Sequence, residues 1–115
     1  MRTPLTLTLI ASFLLSAAVA CSEDPPAVDC ATAEVPNYSE MTVWNSCIGC
    51  HSSELSGDAR QNAPDAINFD NYEDAKINAI EAAHEVVEGE MPPGAPLGQA
   101  DQDAINAWAQ CGTPE

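Results

Sequence analysis

The chain has 115 residues, enough for one small domain, and its 18 acidic residues outnumber three basic ones to give a formal charge of −15. Such an acidic surface repels phosphate backbones, which argues against nucleic acid as a partner. It favours instead a protein with a basic docking patch, bound in a salt-sensitive way, unless the charge serves only to keep an exported protein soluble.

Residues 1–20 have the features of an export signal, with Arg2 near the start, a mostly apolar run over 5–15 and small residues before Cys21. The run is shorter than the roughly 20 residues of a membrane span. "AVAC" resembles a bacterial lipobox, in which Cys21 becomes the lipidated first residue. Ala18 stands where leucine is usual, so plain secretion or an uncleaved anchor stays open. We expect a periplasmic or otherwise extracytoplasmic location, with a lipid anchor in a bacterial membrane. The mature chain would have a formal charge of −16 once Arg2 is removed.

Residues 21–36 are acidic, contain prolines and lack periodicity, which predicts a tether before a folded domain over 37–112. The first helix is predicted to begin near Asn37 or Ser39 and to run into Cys47. Its apolar positions at helical spacing are Tyr38, Val43, Trp44, Cys47 and Ile48.

The pentapeptide "CIGCH" places the thiols of Cys47 and Cys50 beside the imidazole of His51. This pattern is typical of covalent haem attachment, with two thioether bonds and the histidine as an axial iron ligand. Zinc binding would need two more ligands, and a thioredoxin-like redox pair would need a preceding strand, which the sequence does not predict. The export signal favours haem, because covalent attachment takes place outside the cytoplasm.

The remaining cysteines, Cys30 and Cys111, lie near the two ends of the folded part. A disulfide between them would close a loop of about 80 residues and contribute roughly 4–5 kcal/mol to stability. A domain this small would benefit from the crosslink. The alternative is a pair of free thiols.

Residues 52–67 carry glycine, proline and small polar residues and predict a surface loop. A long helix is predicted next, with Asp70 and Glu73 as a capping box and Gly89 as the stop signal. Its predicted apolar stripe consists of Tyr72, Ala75, Ala79, Ile80, Ala83 and Val87.

The stretch "MPPGAPLG", which begins at Met91, holds three prolines and two glycines and cannot form a helix or an inner strand. A last helix is predicted over about Gln99 to Gln110, ending at Gly112 and burying Ala104, Ile105 and Trp108. No alternating strand pattern occurs. The predicted fold class is all-α, with about three main helices.

Together, "SCIGCH", "EGEMPPG" and "DQDAINAWAQCG" resemble a class I cytochrome c of the monohaem bacterial kind, over about residues 37–112. The resemblance implies a small cytochrome c fold whose helices wrap around one covalently bound haem c. It implies Cys47 and Cys50 as thioether anchors and His51 as the proximal ligand. It also implies that the first helix packs across the last one.

The second axial ligand must come from a distant segment. Met41 is expected to be a packing residue, since its helix already serves the proximal side. Met91 lies in a loop stiffened by prolines, about 40 residues after His51, where class I cytochromes present their distal thioether. His84, at the edge of the predicted apolar stripe, is the less favoured alternative.

The resemblance also suggests roles around the iron. Class I cytochromes commonly hydrogen-bond the proximal imidazole to a proline carbonyl after the motif, and Pro64 is the candidate here. Arg60 is a candidate partner for a haem propionate. With His51 and Met91 both bound, the iron has no vacant position, which favours a one-electron carrier over an enzyme.

Three other functions stay open at this stage. A haem-based gas or redox sensor would need Met91 to dissociate, which the stiff loop disfavours. A di-haem peroxidase would need a second attachment motif, and the chain has one. A haem-free thiol oxidoreductase is disfavoured by the absence of predicted strands.

Overall fold

A computed structural model describes residues 24–115, so the predicted signal segment 1–20 and the lipidation candidate Cys21 lie outside the described residues. The described part is helical without strands, which confirms the all-α class for this range. Its elements are a 3₁₀ turn at Tyr38–Glu40, α1 at Trp44–Cys47, a 3₁₀ turn at Gly57–Arg60, α2 at Tyr72–Ile77, α3 at Ala79–Val87 and α4 at Gln99–Gln110. None of these helices is long and apolar enough to cross a membrane.

The predicted first helix is divided into two short pieces. Asn37 precedes the first piece, and its backbone N–H is held by the carboxylate of Glu40 at 3.0 Å. Met41 then adopts an extended conformation with φ −80° and ψ 121°, which stops the helical path before α1 begins. Met41 is 7% exposed, so it is a core residue, as expected. The bend and the burial of Met41 thus occur at the same residue, and the helical spacing does not reveal the bend.

The predicted long helix is also divided, because Asn78 separates α2 from α3. Its φ of −99° and ψ of 10° leave the helical region, and its side-chain amide donates to the carbonyl of Asp74 at 2.9 Å. Such a bond to the backbone competes with continued helix formation. The prediction of one helix was wrong at this residue, while Gly89, with φ +78°, follows the end of α3 as predicted.

The cap of α2 lies one residue after the predicted one. The side chain of Asn71 accepts the backbone N–H of Asp74 at 2.9 Å and donates to the carboxylate of Asp74 at 2.9 Å. Asp70 instead accepts hydrogen bonds from Ser52 and Ser53. The capping box predicted at Asp70 is therefore replaced by a reciprocal pair one position later.

The buried face of α2 and α3 differs from the predicted stripe. Ile80 is 63% exposed and Ile77 is 80% exposed, although the stripe included Ile80. The buried positions are Ala75, Ala79, Ala82, Ala83 and Val86. Because the break at Asn78 lies between the two helices, one continuous helical wheel does not describe both.

Helix α4 has the predicted bounds and packs against α3. Ile105 and Trp108 are fully buried, and the indole N–H of Trp108 donates to the carbonyl of Pro114 at 2.8 Å. Trp108 meets the edge of Trp44 with ring centroids 5.3 Å apart. The start of α1 therefore contacts α4 through two tryptophans, a pairing that stabilises beyond the area it buries.

The N-terminal part of the described chain is attached to α4. Cys30 and Cys111 form a disulfide, with Cα atoms 5.4 Å apart. The side chain of Gln110 accepts the N–H of Val28 at 3.0 Å and donates to the carbonyl of Pro26 at 3.0 Å. Residues 26–30 of the expected tether are therefore held against the domain, because side chains of α4 satisfy their backbone groups.

Candidate functional site

Cys47, Cys50 and His51 lie on a helical turn that continues beyond α1. The N–H groups of Cys50 and His51 donate to the carbonyl of Cys47 at 3.1 and 2.9 Å. Both thiols are half-buried and unpaired, and they are the only free cysteines within residues 24–115. The turn therefore holds two thiols and an imidazole on one short piece of backbone.

The thiol of Cys47 is kept protonated by its surroundings. Burial, together with the negative charge of Asp101, raises the pKa of Cys47 to about 11. The thiol donates to the carbonyl of Val43 at 3.4 Å. Asp101 is held nearby in the first turn of α4, where Thr42 donates to its carboxylate at 2.9 Å. A thiol with such a raised pKa is a weak nucleophile at neutral pH, unlike the thiol of a redox pair.

The imidazole of His51 is oriented by the backbone of the following loop. Its Nδ1 lies 3.0 Å from the carbonyl oxygen of Ile67, which can only accept, so Nδ1–H is the donor and a neutral ring would have its lone pair on Nε2. The N–H of Phe69 donates to the carbonyl of His51 at 2.8 Å, and the two rings lie 5.3 Å apart. The loop therefore selects one tautomer and one ring orientation.

Pro64 does not hold the imidazole, so the prediction for this residue was wrong. Its carbonyl accepts hydrogen bonds from Arg60 and from the backbone N–H of Ile67. Ile67, three residues later, supplies the carbonyl that meets His51. Any residue can provide a carbonyl, so the side-chain sequence carried no signal for Ile67.

Arg60 is buried, with 2% exposure, and its guanidinium is bound by the loop. Nη1 donates to the Ser52 carbonyl at 2.6 Å and to the Asn68 side chain at 3.0 Å, whereas Nε donates to the Ala63 carbonyl at 3.2 Å. Nη2 donates to the carbonyls of Pro64 and Ile67. All five N–H donors of a guanidinium are therefore used within the loop. No N–H donor of Arg60 is left over for a haem propionate, so the prediction of Arg60 as a propionate partner does not fit this arrangement.

Asp70 ties the segment after His51 to the start of α2. Its Oδ2 accepts the hydroxyl protons of Ser52 and Ser53 at 2.8 and 2.7 Å and the N–H of Ser53 at 2.9 Å. Slight burial would raise the pKa of Asp70, but these hydrogen bonds outweigh it and lower the pKa to about 2. A charged acceptor thus fixes the backbone next to the imidazole at all but strongly acidic pH.

Met91 is half-buried in the loop after α3 and packs against the same hydrophobic core as Cys47. Its N–H donates to the carbonyl of Glu85 at 3.0 Å, which anchors the start of the proline-rich loop to α3. His84 is half-buried within α3. The thioether of Met91 therefore lies at the margin of the core.

The structure also bears on the zinc alternative. The disulfide removes Cys30 and Cys111 from the candidate zinc ligands, which leaves only His51 and His84 besides Cys47 and Cys50. Within residues 24–115, no three side chains of histidine, cysteine, aspartate or glutamate cluster as metal ligands.

A groove of about 750 Å³ lies between residues 26–36 and α4. None of Cys47, His51 and Met91 lines it. The groove reflects the way in which the N-terminal segment docks, and the candidate site is defined instead by its donor atoms.

Comparisons of the chain with protein-family models, with curated proteins and with solved structures give no match.

Proposed function

We propose that the chain is an exported monohaem c-type cytochrome that carries single electrons between redox proteins. Cys47 and Cys50 would anchor haem c through thioether bonds, and His51 and Met91 would be its axial ligands. The observation that carries the proposal is the state of His51. Its Nδ1 is engaged by the Ile67 carbonyl, and its Nε2, the atom that would bind iron, makes no hydrogen bond within residues 24–115.

The donor chemistry of the described residues fits such a group. The spacing of Cys47, Cys50 and His51 is that of c-type attachment, and both thiols stay unpaired while the other described cysteines form a disulfide. Met91 offers a half-buried thioether in a loop with three prolines, which limits the entropy that a weak ligand bond must overcome. When bound, a haem iron with both axial positions filled supplies a one-electron couple, and a thioether ligand favours its reduced state.

The residues around His51 would keep the site rigid during electron transfer. Phe69 lies beside the imidazole and stacks on Trp44 with ring centroids 5.5 Å apart, and both aromatic side chains are buried. The buried ring of Phe69 would shield that side of the imidazole from water. Because the carbonyl of Ile67 also fixes the ring, His51 has little freedom to move when the charge at the site changes. Such rigidity suits a carrier better than a catalyst.

The charge of the chain supports the proposed partners. After removal of the export signal, a formal charge of −16 would attract a redox protein with a basic patch, in short-lived contacts that weaken with salt. Lipidation of Cys21 would keep the carrier at a bacterial membrane, outside the cytoplasm. Because residues 26–30 are attached to α4, the free part of the tether would precede residue 26.

The test is the absorption spectrum of the full chain, exported in cells that carry haem-maturation machinery. We expect a covalent c-type haem with the weak red band of sulfur bound to ferric iron. Met91→Leu conserves volume and should abolish this band. The matched control is Met41→Leu, which alters the other methionine within residues 24–115 and should retain it.

Two results would contradict the proposal. A colourless protein would exclude the cytochrome, and a red band retained in Met91→Leu would exclude Met91 as the ligand. Carbon monoxide binding by the reduced wild-type protein at neutral pH would favour the sensor with a labile Met91.

A further inference from the structure

Arg60 is a buried cation without a buried counter-ion. The only carboxylate within ion-pair distance of it among residues 24–115 is that of Asp65, 3.5 Å from Nε, and the Asp65 side chain is 96% exposed. An exposed partner is screened by water and neutralises a buried charge poorly. The guanidinium is held instead by neutral acceptors, four carbonyls and the side-chain oxygen of Asn68. The positive charge of Arg60 is therefore not neutralised locally, and its electric field reaches the neighbouring groups of the loop.

One of those carbonyls is shared with His51. The oxygen of Ile67 accepts Nη2 of Arg60 at 3.0 Å and faces Nδ1 of His51 at 3.0 Å. The distance between Nη2 of Arg60 and Nδ1 of His51 therefore cannot exceed the sum of these two distances. A carbonyl oxygen that serves two donors has less electron density for each one. The guanidinium thus limits how strongly the carbonyl can draw the proton from the imidazole.

We propose that Arg60 is a positioning residue that fixes the carbonyl of Ile67 against His51 and raises the reduction potential of the iron that His51 would bind. The inference rests on the proposed function, because it concerns the same imidazole. The placement of the carbonyl follows from the five bonds of the guanidinium, which connect residues 52, 63, 64, 67 and 68.

Two effects of Arg60 on the potential have the same sign. A buried positive charge near the iron disfavours the oxidised, more positive state. A carbonyl weakened by its second donor leaves the imidazole less anionic, which makes it a poorer donor to ferric iron. Loss of the guanidinium therefore removes both contributions and stabilises the oxidised state.

The test compares Arg60→Gln with Lys76→Gln in the full haem-loaded chain. Each variant removes one positive charge, and Lys76 is exposed, so the net charges are equal and only the location differs. We expect Lys76→Gln to keep nearly the wild-type potential. For Arg60→Gln we expect the ratio of reduced to oxidised protein at a fixed ambient potential to fall about tenfold, which is 59 mV for one electron.

Arg60→Lys separates charge from geometry, because an ammonium keeps the charge but has only three donors. We expect its potential to lie between those of wild type and Arg60→Gln, with an altered NMR signal for the Nδ1–H proton of His51. Equal potentials for Arg60→Gln and Lys76→Gln, with normal haem spectra, would overturn the inference and leave the proposed function intact.

An NMR measurement on the wild-type chain covers the case in which neither Arg60 variant folds. We expect the side-chain N–H protons of Arg60 and the Nδ1–H proton of His51 to exchange slowly with solvent. Fast exchange at Arg60 would overturn the inference. Absence of covalent haem from the wild-type protein would instead contradict the proposed function. The two outcomes can be told apart, because the proton signals of Arg60 and His51 can be measured whether or not haem is attached.

Discussion

Replacement of both Cys30 and Cys111 by serine should strongly destabilise the domain. The disulfide joins residues 81 positions apart and therefore closes most of the folded chain into one loop. In the chain-entropy model, a crosslink over this separation restricts the unfolded chain by about 4.5 kcal/mol at 25 °C. Domains of this size have total stabilities of about 5–15 kcal/mol, so the loss would be a large fraction of the whole.

The structure allows this loop effect to be separated from the docking of the N-terminal segment. Gln110 and Asn106 hold that segment, because both side chains donate to the Pro26 carbonyl and Gln110 also accepts the N–H of Val28. Gln110→Ala removes the bonds of Gln110 to this segment and to Asn106, and it keeps the disulfide. Each exposed bond contributes about 1 kcal/mol or less, so Gln110→Ala should cost about 1–2 kcal/mol. If the crosslink acts mainly on the unfolded chain, the serine variant should lose at least twice as much.

The assay is urea unfolding of wild type and both variants, with the free energy of unfolding taken from midpoint and slope. A thiol reductant should lower the stability of wild type to that of the serine variant and should leave the serine variant unchanged. A loss below about 2 kcal/mol in the serine variant would refute the loop argument. It would mean that the contacts of residues 26–30 keep the ends of the chain together without the disulfide.

Two further predictions concern the start of α2. Because the pKa of Asp70 is lowered from 3.8 to about 2, its hydrogen bonds add stability above pH 4 that disappears as the pH falls through 2. The stability difference between wild type and Asp70→Asn should therefore shrink between pH 4 and pH 2 in acid titrations followed by circular dichroism, and a constant difference would contradict the assignment. Asn71→Ala should cost about 1 kcal/mol in urea unfolding, since it removes the acceptor for the Asp74 N–H, and it should not alter this pH dependence.

The last helix shows what the sequence alone could predict. Its bounds, Gln99–Gln110, agree with the expected ones, because an apolar face around Ile105 and Trp108 lies between the proline-rich loop and Gly112. Local pattern and tertiary packing both favour the same helix here. Where no side-chain hydrogen bond competes with the helix, the spacing of apolar residues is enough to predict its bounds.

The break at Asn78 shows where periodicity fails. The apolar residues around it continue at helical spacing, yet one side-chain amide bonded to Asp74 ends α2 and leaves Ile77 and Ile80 exposed. The low helix propensity of asparagine was the available signal, but it is weak on its own. Asn71 rather than Asp70 caps α2, because the carboxylate of Asp70 accepts hydrogen bonds from Ser52 and its neighbour. These serines lie far from α2 in the sequence, so no local pattern predicts the contact.

The candidate site also has one part that the sequence predicted and one part that it did not. The spacing of Cys47, Cys50 and His51 is a local property, so the sequence identified these residues and the structure keeps them on one turn. The partner of the imidazole is a backbone oxygen, and the sequence does not tell Ile67 from Pro64 in that role. The burial of Arg60 was hidden for a related reason, because its acceptors are mostly carbonyls rather than acidic side chains.

These observations explain why a loop poor in apolar residues can hold an imidazole in place. Between Ser52 and Asn68 the chain buries few large apolar side chains, so the hydrophobic effect cannot fix it as it fixes α4. A guanidinium with five donors performs that task, since each donor meets an oxygen from a different part of the loop. A charge-assisted bond is stronger than a neutral one and depends on direction, which suits the orientation of a ring better than apolar packing does. The same cation then necessarily lies close to His51, so in this loop the means of fixing the imidazole also sets the electric field around it.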